Sequence, residues 1–469
     1  MFDSSIYTDR RTRLVAALQN RHPGALVLIL GNEDAPMNFR ANSYAFRQDG
    51  SFRYFFGLNE PGLAALIDVC AGEATLFGDD VSVDAAVWLG SQPPFAQQAE
   101  AVGVTRTAPR AALAEQVAAA RAAGRPVLFL PPYRADTVLT LADCLGLAPG
   151  AVAGAASPDL VAAVVALREI KSDGEVAEME SALAVTQAMH HAAMAATRPG
   201  VREHAVVGLF EGIARGADLR LAYQSIFSGR GEVLHNLRYD RTLAAGELVV
   251  NDSGAAGAGG YASDITRTLP VSGRFDPLQR RLYDAVLRSQ QEAIAACRPG
   301  VRYRDIHIGA ARVLVEELAG IGLFRGDPDE VVASGAYAIA FPCGLGHQIG
   351  LDVHDMEGLG EDRVGYDDAV RRSPLFGMRS LRLGKALKAG MTVTVEPGLY
   401  FIPELMDQWR AEGRHAALID YDRFDAFRHF GGIRIEDDVL VTDAGGRVLG
   451  PPIARTADEV EARMGRAAA

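Results

Sequence analysis

A chain of 469 residues with 49% hydrophobic and 23% charged side chains has the balance of a packed protein, not of a disordered or collagen-like one. At roughly 100–200 residues per domain, two or three domains are expected. Forty-seven basic against 59 acidic side chains leave a net charge of −12, so neither nucleic acid nor an anionic membrane meets a general counter-charge here. No apolar run approaches the ~18 residues of a membrane span, and the opening MFDSSIYTDRRTRL lacks an apolar signal core, which makes the cytoplasm the expected location. Cys70, Cys144, Cys297 and Cys343 lie far apart without CxxC spacing, so neither a disulfide framework nor a thiolate zinc site is indicated.

In chain order, the apolar runs Ala25–Leu30, Leu63–Val69 and Val127–Leu130 read as strands, and Ala-rich segments such as Ala111–Ala123 have helical spacing. Together they predict a small α/β domain. The stretch AVAGAASP, residues 151–158, is small, uncharged and punctuated by Gly and Pro, and helical periodicity resumes at Asp159. It places the domain boundary between residues 155 and 156. From Ser172 the pattern is a long amphipathic helix, a break, and a second helix near Glu203. The break, Arg198-Pro199-Gly200-Val201-Arg202, recurs a hundred positions later as Arg298-Pro299-Gly300-Val301-Arg302. Such a repeat is either ordinary helix-stop chemistry or an internal duplication. Strand-like runs follow each copy, Leu248–Asp252 and Ala262–Leu269 after the first, Thr392–Glu396 and Ile433–Leu440 after the second. The duplication reading predicts an α+β domain of two pseudo-symmetric halves, with a site at their junction supplied by both.

Period-2 alternation puts Asp252 on the face of Leu248 and Val250, and puts Asp264 on the face of Thr266 and Thr268. If the two strands pair across the Gly-rich stretch 254–260, Asp252 and Asp264 converge, and they repel unless a proton or a cation lies between them. Taken alone, the pair has a rival reading as two solvated carboxylates beside a hairpin loop, since Asp near Gly-rich turns is ordinary. Three further groups change the balance: His347 in Gly344-Leu345-Gly346-His347, Glu396 ending Thr392–Glu396 ahead of Pro397-Gly398, and Glu436 in Ile433-Arg434-Ile435-Glu436. Four carboxylates and one imidazole suit a hard divalent ion such as Mn²⁺, with Co²⁺, Zn²⁺ or Fe²⁺ as competitors. Five ligands are too many for one catalytic ion that keeps an open position. Two ions about 3.5–4 Å apart use them all and lower the pKa of a water held between them, as amide hydrolysis requires.

The motifs GRGEVLHN, NDSG…GGYASDITRT, GLGHQIGLDVHD, TVEPGLYFI and GGIRIEDDV, in this order, resemble the dinuclear-metal Xaa-Pro peptidases of the pita-bread fold, prolidase and aminopeptidase P. FRQDGSFRYFFGLNEPG and Trp88 extend the resemblance to the N-terminal domain. The resemblance implies a pita-bread catalytic domain over residues 156–469 behind an aminopeptidase P-type domain over 1–155. It implies that Asp252 chelates one metal, that Asp264 and Glu436 bridge both, and that His347 and Glu396 complete the second site. Glu396 would take the proton of the attacking water and pass it toward the proline nitrogen. His235 and His354 would donate hydrogen bonds to substrate or to the tetrahedral intermediate, and Arg434 would orient neighbouring polar groups. Arg382 would capture the carboxylate of a short Xaa-Pro substrate with its bidentate fork, or belong to a plain solvated face of RSLRLGKALK. Trp88 would cap the proline pocket of a neighbouring subunit in a homodimer or homotetramer, or simply pack.

Two departures from the family pattern stand out. Where the family has Pro-His-Gly-Leu-Gly-His, this chain has Pro342-Cys343-Gly344-Leu345-Gly346-His347, so a thiol, a weak donor, replaces an imidazole near the substrate. The interval from Asp252 to Asp264 is one residue longer than the family's, which a longer loop absorbs without a register slip. The expected activity is hydrolysis of Xaa-Pro bonds in dipeptides or in peptides with proline second. The segment after Glu396 resembles prolidases in its length and ends, which favours the dipeptidase over aminopeptidase P. A pita-bread protein that binds peptides without turnover is the rival from another class, and phosphotriester hydrolysis is a conceivable side activity.

Overall fold

The computed structural model describes residues 2–465. Internal packing divides them into two units, residues 2–169 with Met356–Val364, and Ile170–Asp355 with residues 365–465. In the first, strands β1 (Leu26–Leu30), β2 (Ala64–Asp68), β3 (Glu73–Phe77), β4 (Arg106–Ala108) and β5 (Val127–Phe129) form one mixed sheet in the order β4-β3-β2-β1-β5. β1, β2 and β5 match the apolar runs. β3 and β4 carry mostly exposed or half-exposed residues near one edge, so their sequences lack the signature of burial. Helix Pro158–Arg168 buries Leu160, Val161 and Val164 and packs against helix Ser4–Gln19. The unit therefore reaches Glu169, beyond the boundary expected near residue 155, and AVAGAASP inside it holds the end of the short helix Pro149–Val152 and a 3-10 helix, Ala153–Ala155.

In the second unit, helix Asp173–Ala196 starts from a capping box between Ser172 and Glu175, and helix Pro277–Ala296 starts from one between Asp276 and Gln279. Such caps contribute about 1 kcal/mol each. Both helices stop before the repeated motif, whose glycines Gly200 and Gly300 have φ of +84° and +86°. They are followed by helices Glu203–Gly216 and Tyr303–Ala319, each packed on its predecessor.

The strands are β6 (Arg220–Leu221), β7 (Ile226–Ser228), β8 (Leu248–Asp252), β9 (Ala255–Ala256), β10 (Thr266–Pro270), β11 (Thr392–Val395), β12 (Gly398–Tyr400), β13 (Gly432–Arg434), β14 (Asp437–Thr442) and β15 (Gly445–Val448). Two three-stranded sheets, β10-β8-β7 and β11-β14-β15, form the centres of the two halves.

The duplication extends to individual hydrogen bonds. Gly200 N donates to Leu243 O and Leu243 N to Val201 O; Gly300 N donates to Leu387 O and Leu387 N to Val301 O. Val271 N donates to Glu247 O as Val441 N does to Met391 O. Five residues beyond Glu247 and Met391 stand Asp252 and Glu396; five before Val271 and Val441 stand Thr266 and Glu436. RPGVR is thus part of a structural repeat, not an isolated stop signal. Among the described residues, no single helix is long and apolar enough to cross a membrane.

Candidate metal centre

Asp252 ends β8, and Asp264 lies on the returning chain just ahead of β10. The strand register, Thr266 opposite Asp252, continues through Ser253 N to Ile265 O at 3.1 Å, Ser263 N to Ala255 O at 3.0 Å, and a bridge between Ala256 and Ala262. Period 2 therefore puts both aspartates on one face, and the turn 257–261 lies outside the register, where an added residue is harmless. Gly254 is required in this hairpin, because a Cβ there would lie 1.9 Å from Ser263 O. The Tyr223 hydroxyl bridges the two carboxylates, 2.6 Å from Asp252 Oδ1 and 2.5 Å from Asp264 Oδ1. One phenolic proton cannot neutralise two charges.

From the second half, Glu396 follows β11 and accepts a hydrogen bond from the Thr394 hydroxyl at 3.0 Å, while Thr394 Oγ1 accepts from His347 N at 3.1 Å. His347 Nδ1 lies 3.0 Å from Gln348 O, which assigns its proton to Nδ1. Nε2 then aims a lone pair at Asp264 Oδ2, 3.5 Å away, and at Glu396 Oε1, 3.4 Å away. Acceptor faces acceptor. Asp264, His347 and Glu436 each offer a ligand atom within 4.8 Å of the others.

Glu436 occupies a break in the strand expected over Ile433–Leu440. β13 pairs with β12 and β14 with β11, so the chain changes partner at Ile435-Glu436, where Glu436 bridges instead to Thr266 of the first half.

Burial raises the Asp264 carboxyl well above the carboxylate range, and Asp252 and Glu396 push it further. Burial acts likewise on Glu436, with Asp264 next in effect. Arg434 is the organic counter-charge: Nη2 lies 2.5 Å from Asp252 Oδ2, Nη1 3.1 Å from the Tyr400 hydroxyl and Nε 3.1 Å from Thr266 Oγ1. Burial works against that cation, but Tyr400, Asp252, Glu396 and Glu436 hold its pKa well above the ordinary arginine value. Behind the site Asp438, fully buried and shifted upward by desolvation and by Asp264, accepts from Asp264 N at 3.1 Å. A single guanidinium does not balance this many acids. A buried, oxygen-rich set with one imidazole lone pair aimed into it fits divalent cations, which also remove the acceptor–acceptor conflict at His347.

The site opens into a cavity of about 510 Å³ whose wall includes His235, Cys343, His354, Arg382, Leu234 and Val353. The His354 ring stacks on His347 at 3.9 Å between centroids. His235 stands at the exposed rim, its pKa lowered by lost solvation and by Arg434. Cys343 is pushed up to about 12 by burial and by Glu396, so its thiol stays protonated. Trp88 belongs to the N-terminal unit, 85% exposed on the short helix Val83–Leu89.

The structure thus brings the five residues expected from sequence to hold metal, Asp252, Asp264, His347, Glu396 and Glu436, to one cavity, with His235, His354, Arg382, Arg434 and Cys343 around it. Sequence reasoning missed Tyr223, Tyr400 and Asp438. Tyr400 and Asp438 stand inside TVEPGLYFI and GGIRIEDDV, and their polarity on otherwise apolar strands was the available signal; the stretch around Tyr223 carries none.

Residues 177–443 match the model of metallopeptidase family M24, and residues 7–129 match that of the aminopeptidase P N-terminal domain. The chain is 32% identical over 482 residues to Xaa-Pro dipeptidase of Homo sapiens, spanning 98% of this chain and 93% of that protein. It is 30% identical over 475 residues to Xaa-Pro aminopeptidase of Escherichia coli K12, spanning 97% and 96%. A single-residue variant of E. coli aminopeptidase P in complex with substrate superposes with a TM-score of 0.81 at 27% identity, covering 100% of this chain and 99% of that one. Zinc-substituted E. coli aminopeptidase P in complex with product gives the same score, identity and coverage. The cluster of ligands, the fold around it and these similarities agree that the chain belongs to metallopeptidase family M24, with an aminopeptidase P-type N-terminal domain ahead of a pita-bread peptidase domain.

Proposed function

We propose that the protein is a dinuclear-metal exopeptidase that hydrolyses the bond before proline, prolidase-like in its preference for dipeptides. The observation that carries this reading is the meeting of Asp264, His347 and Glu436 within 4.8 Å, with Asp252 and Glu396 on the same cavity. Asp252 and Asp264 would hold one ion, His347 and Glu396 would complete the second position, and Asp264 and Glu436 would be shared. Two divalent ions, Mn²⁺ in our reading, supply Lewis acidity toward the scissile carbonyl and make a water a strong nucleophile at neutral pH.

Glu396, oriented by Thr394, accepts the proton of the attacking water and delivers it to the proline nitrogen. That nitrogen belongs to a tertiary amide without N–H, so it must gain a proton to leave as an amine. His235 and His354 supply hydrogen bonds to the carbonyl oxygen as it gains charge. Arg382, in the cavity wall, pairs with the free carboxylate of a dipeptide. Arg434 holds Asp252, Tyr400 and Thr266 in a fixed arrangement. In an oligomer of two or four subunits, Trp88 would lie over the proline pocket of a neighbour, and a cytoplasmic location suits an enzyme that finishes peptide turnover.

The second reading, aminopeptidase P, is favoured by the superposition on that enzyme along the whole chain. The discriminating assay compares Mn²⁺-loaded and metal-stripped protein on Gly-Pro-type dipeptides and on longer peptides with proline second. Turnover of dipeptides alone supports the first reading, turnover of longer peptides the second, and no metal-dependent turnover of either defeats both.

A further inference from the structure

The duplication places one buried polar side chain at the same position of each half, eight residues ahead of each RPGVR motif: His190 in the first and Gln290 in the second. Both are 0% exposed. Each lies on the first helix of its half and reaches down to the strand that presents a ligand. Asn251 Nδ2 donates to His190 Nδ1 at 3.2 Å, which assigns the imidazole proton to Nε2, and Nε2 lies 3.1 Å from Ser253 O. The ring therefore grips the residues on both sides of Asp252. Gln290 Nε2 donates to Val395 O at 3.3 Å and to Asp437 Oδ2 at 3.0 Å. Both partners are acceptors, so the amide orientation is fixed, and the residues gripped are the neighbours of Glu396 and Glu436.

Gln290 Oε1 is buried with no hydrogen-bond partner among the described residues. An apolar side chain of the same size would fill the space without that penalty, so packing alone does not explain the amide. A side chain selected to hold the backbone behind a ligand does. Asp437 is held independently by Arg267 Nη2 at 2.7 Å and Arg455 Nη1 at 3.2 Å, so loss of Gln290 falls chiefly on Val395 and thus on Glu396.

We infer that His190 and Gln290 are a pseudo-symmetric pair of positioning residues, His190 fixing Asp252 for one metal position and Gln290 fixing Glu396 for the other. The inference rests on the dinuclear reading above. Outer-shell partners of metal ligands typically contribute about 10–100-fold in metal affinity.

The test is calorimetric titration of the metal-free full chain with Mn²⁺ alone, with thermal unfolding of the same metal-free samples as the control. The unmodified protein takes up two ions. Gln290→Met, nearly isosteric, is expected to weaken one binding step about 10–100-fold at an unchanged Tm. His190→Leu weakens the other step, and His190→Gln, which keeps a donor and an acceptor, restores most of it. Should His190→Leu fail to fold, Gln290→Met carries the test. Two unchanged binding steps, or equal weakening of both steps by each variant, would reduce the pair to packing residues and overturn the inference. An unmodified chain that binds no pair of ions overturns the dinuclear reading itself, and the inference with it.

Discussion

Thr266 and Glu436 occupy equivalent places in the two halves, and they are bonded to each other: the Thr266 hydroxyl donates to Glu436 Oε2 at 2.6 Å across the bridge where the halves meet. The same oxygen of Thr266 accepts from Arg434 Nε at 3.1 Å. A duplicated chain has placed a hydroxyl in one copy and a carboxylate in the other. The pair shares one hydrogen bond where two carboxylates would repel. The adjoining backbone bonds repeat the pattern, since Asp264 N donates to Asp438 in one direction and Arg434 N to Thr268 Oγ1 in the other.

Thr266→Val keeps the shape and removes that link. It leaves Glu436 without its donor and Arg434 Nε without its acceptor in a buried site. We expect metal affinity to fall about tenfold, in line with other outer-shell changes, with kcat/KM falling in step. Mn²⁺ titration of the variant checks this; affinity equal to that of the unmodified protein would mean that Glu436 is positioned for metal without the Thr266 hydroxyl.

Removal of ligands should divide by role. Asp264→Ala takes away a carboxylate assigned to both ions, so the dialysed protein should retain neither, whereas His347→Ala should mainly loosen one. Metal content per chain, measured by elemental analysis after dialysis, separates the cases. Retention of two ions by Asp264→Ala would refute the shared assignment.

The parts of this site legible in the sequence are those where spacing alone determines geometry. Asp252, Asp264 and Glu396 follow from period-2 faces and strand ends, and the duplication follows from RPGVR. Glu436 was found although its strand is broken, because either arrangement turns the carboxylate inward. Tyr223 and the link from Gln290 to Val395 depend on which distant elements touch, and no local pattern encodes that. In the N-terminal sheet the edge strand β4 and its neighbour β3 escaped notice for a related reason, since partial exposure leaves no apolar run to read.

Acid should destabilise the protein partly through His307, which is fully buried, with Nε2 3.0 Å from the Tyr337 hydroxyl and Nδ1 without a partner among the described residues. Burial lowers its pKa from 6.5 to about 4. The unfolded chain therefore binds a proton that the folded one refuses, so this group's contribution is fully present above the unfolded value and is lost as pH falls toward the folded one. Over the whole interval the effect is at most ~3 kcal/mol at 1.36 kcal/mol per unit. Urea unfolding of metal-free protein at a series of pH values should show a shallower acid loss for His307→Gln than for the unmodified chain. Parallel curves would exclude His307 as a contributor.

Cys343 offers the sharpest test of the substrate side of the cavity. Its thiol lies among Glu396, Tyr400 and Arg434, held neutral by burial with a pKa pushed up to about 12. A neutral thiol is a weak donor, and losing one well-placed donor to a developing oxyanion typically lowers the rate by about 10²–10³. Cys343→His puts an imidazole in the wall of the same cavity while leaving all five carboxylate and imidazole side chains in place. It should raise kcat/KM on Xaa-Pro substrates at unchanged metal content, because a stronger donor acts on the transition state more than on the bound substrate. A gain limited to dipeptides supports the prolidase reading, and one that extends to longer peptides supports aminopeptidase P. The unmodified thiol should meanwhile resist alkylation at neutral pH, since the thiolate is the nucleophile and little of it is present. Rapid labelling blocked by a dipeptide would instead reveal a reactive thiolate facing substrate. An active enzyme unimproved by Cys343→His would show that the thiol is no handicap, and the hydrogen bonds from His235 and His354 would then carry the transition state without a third imidazole.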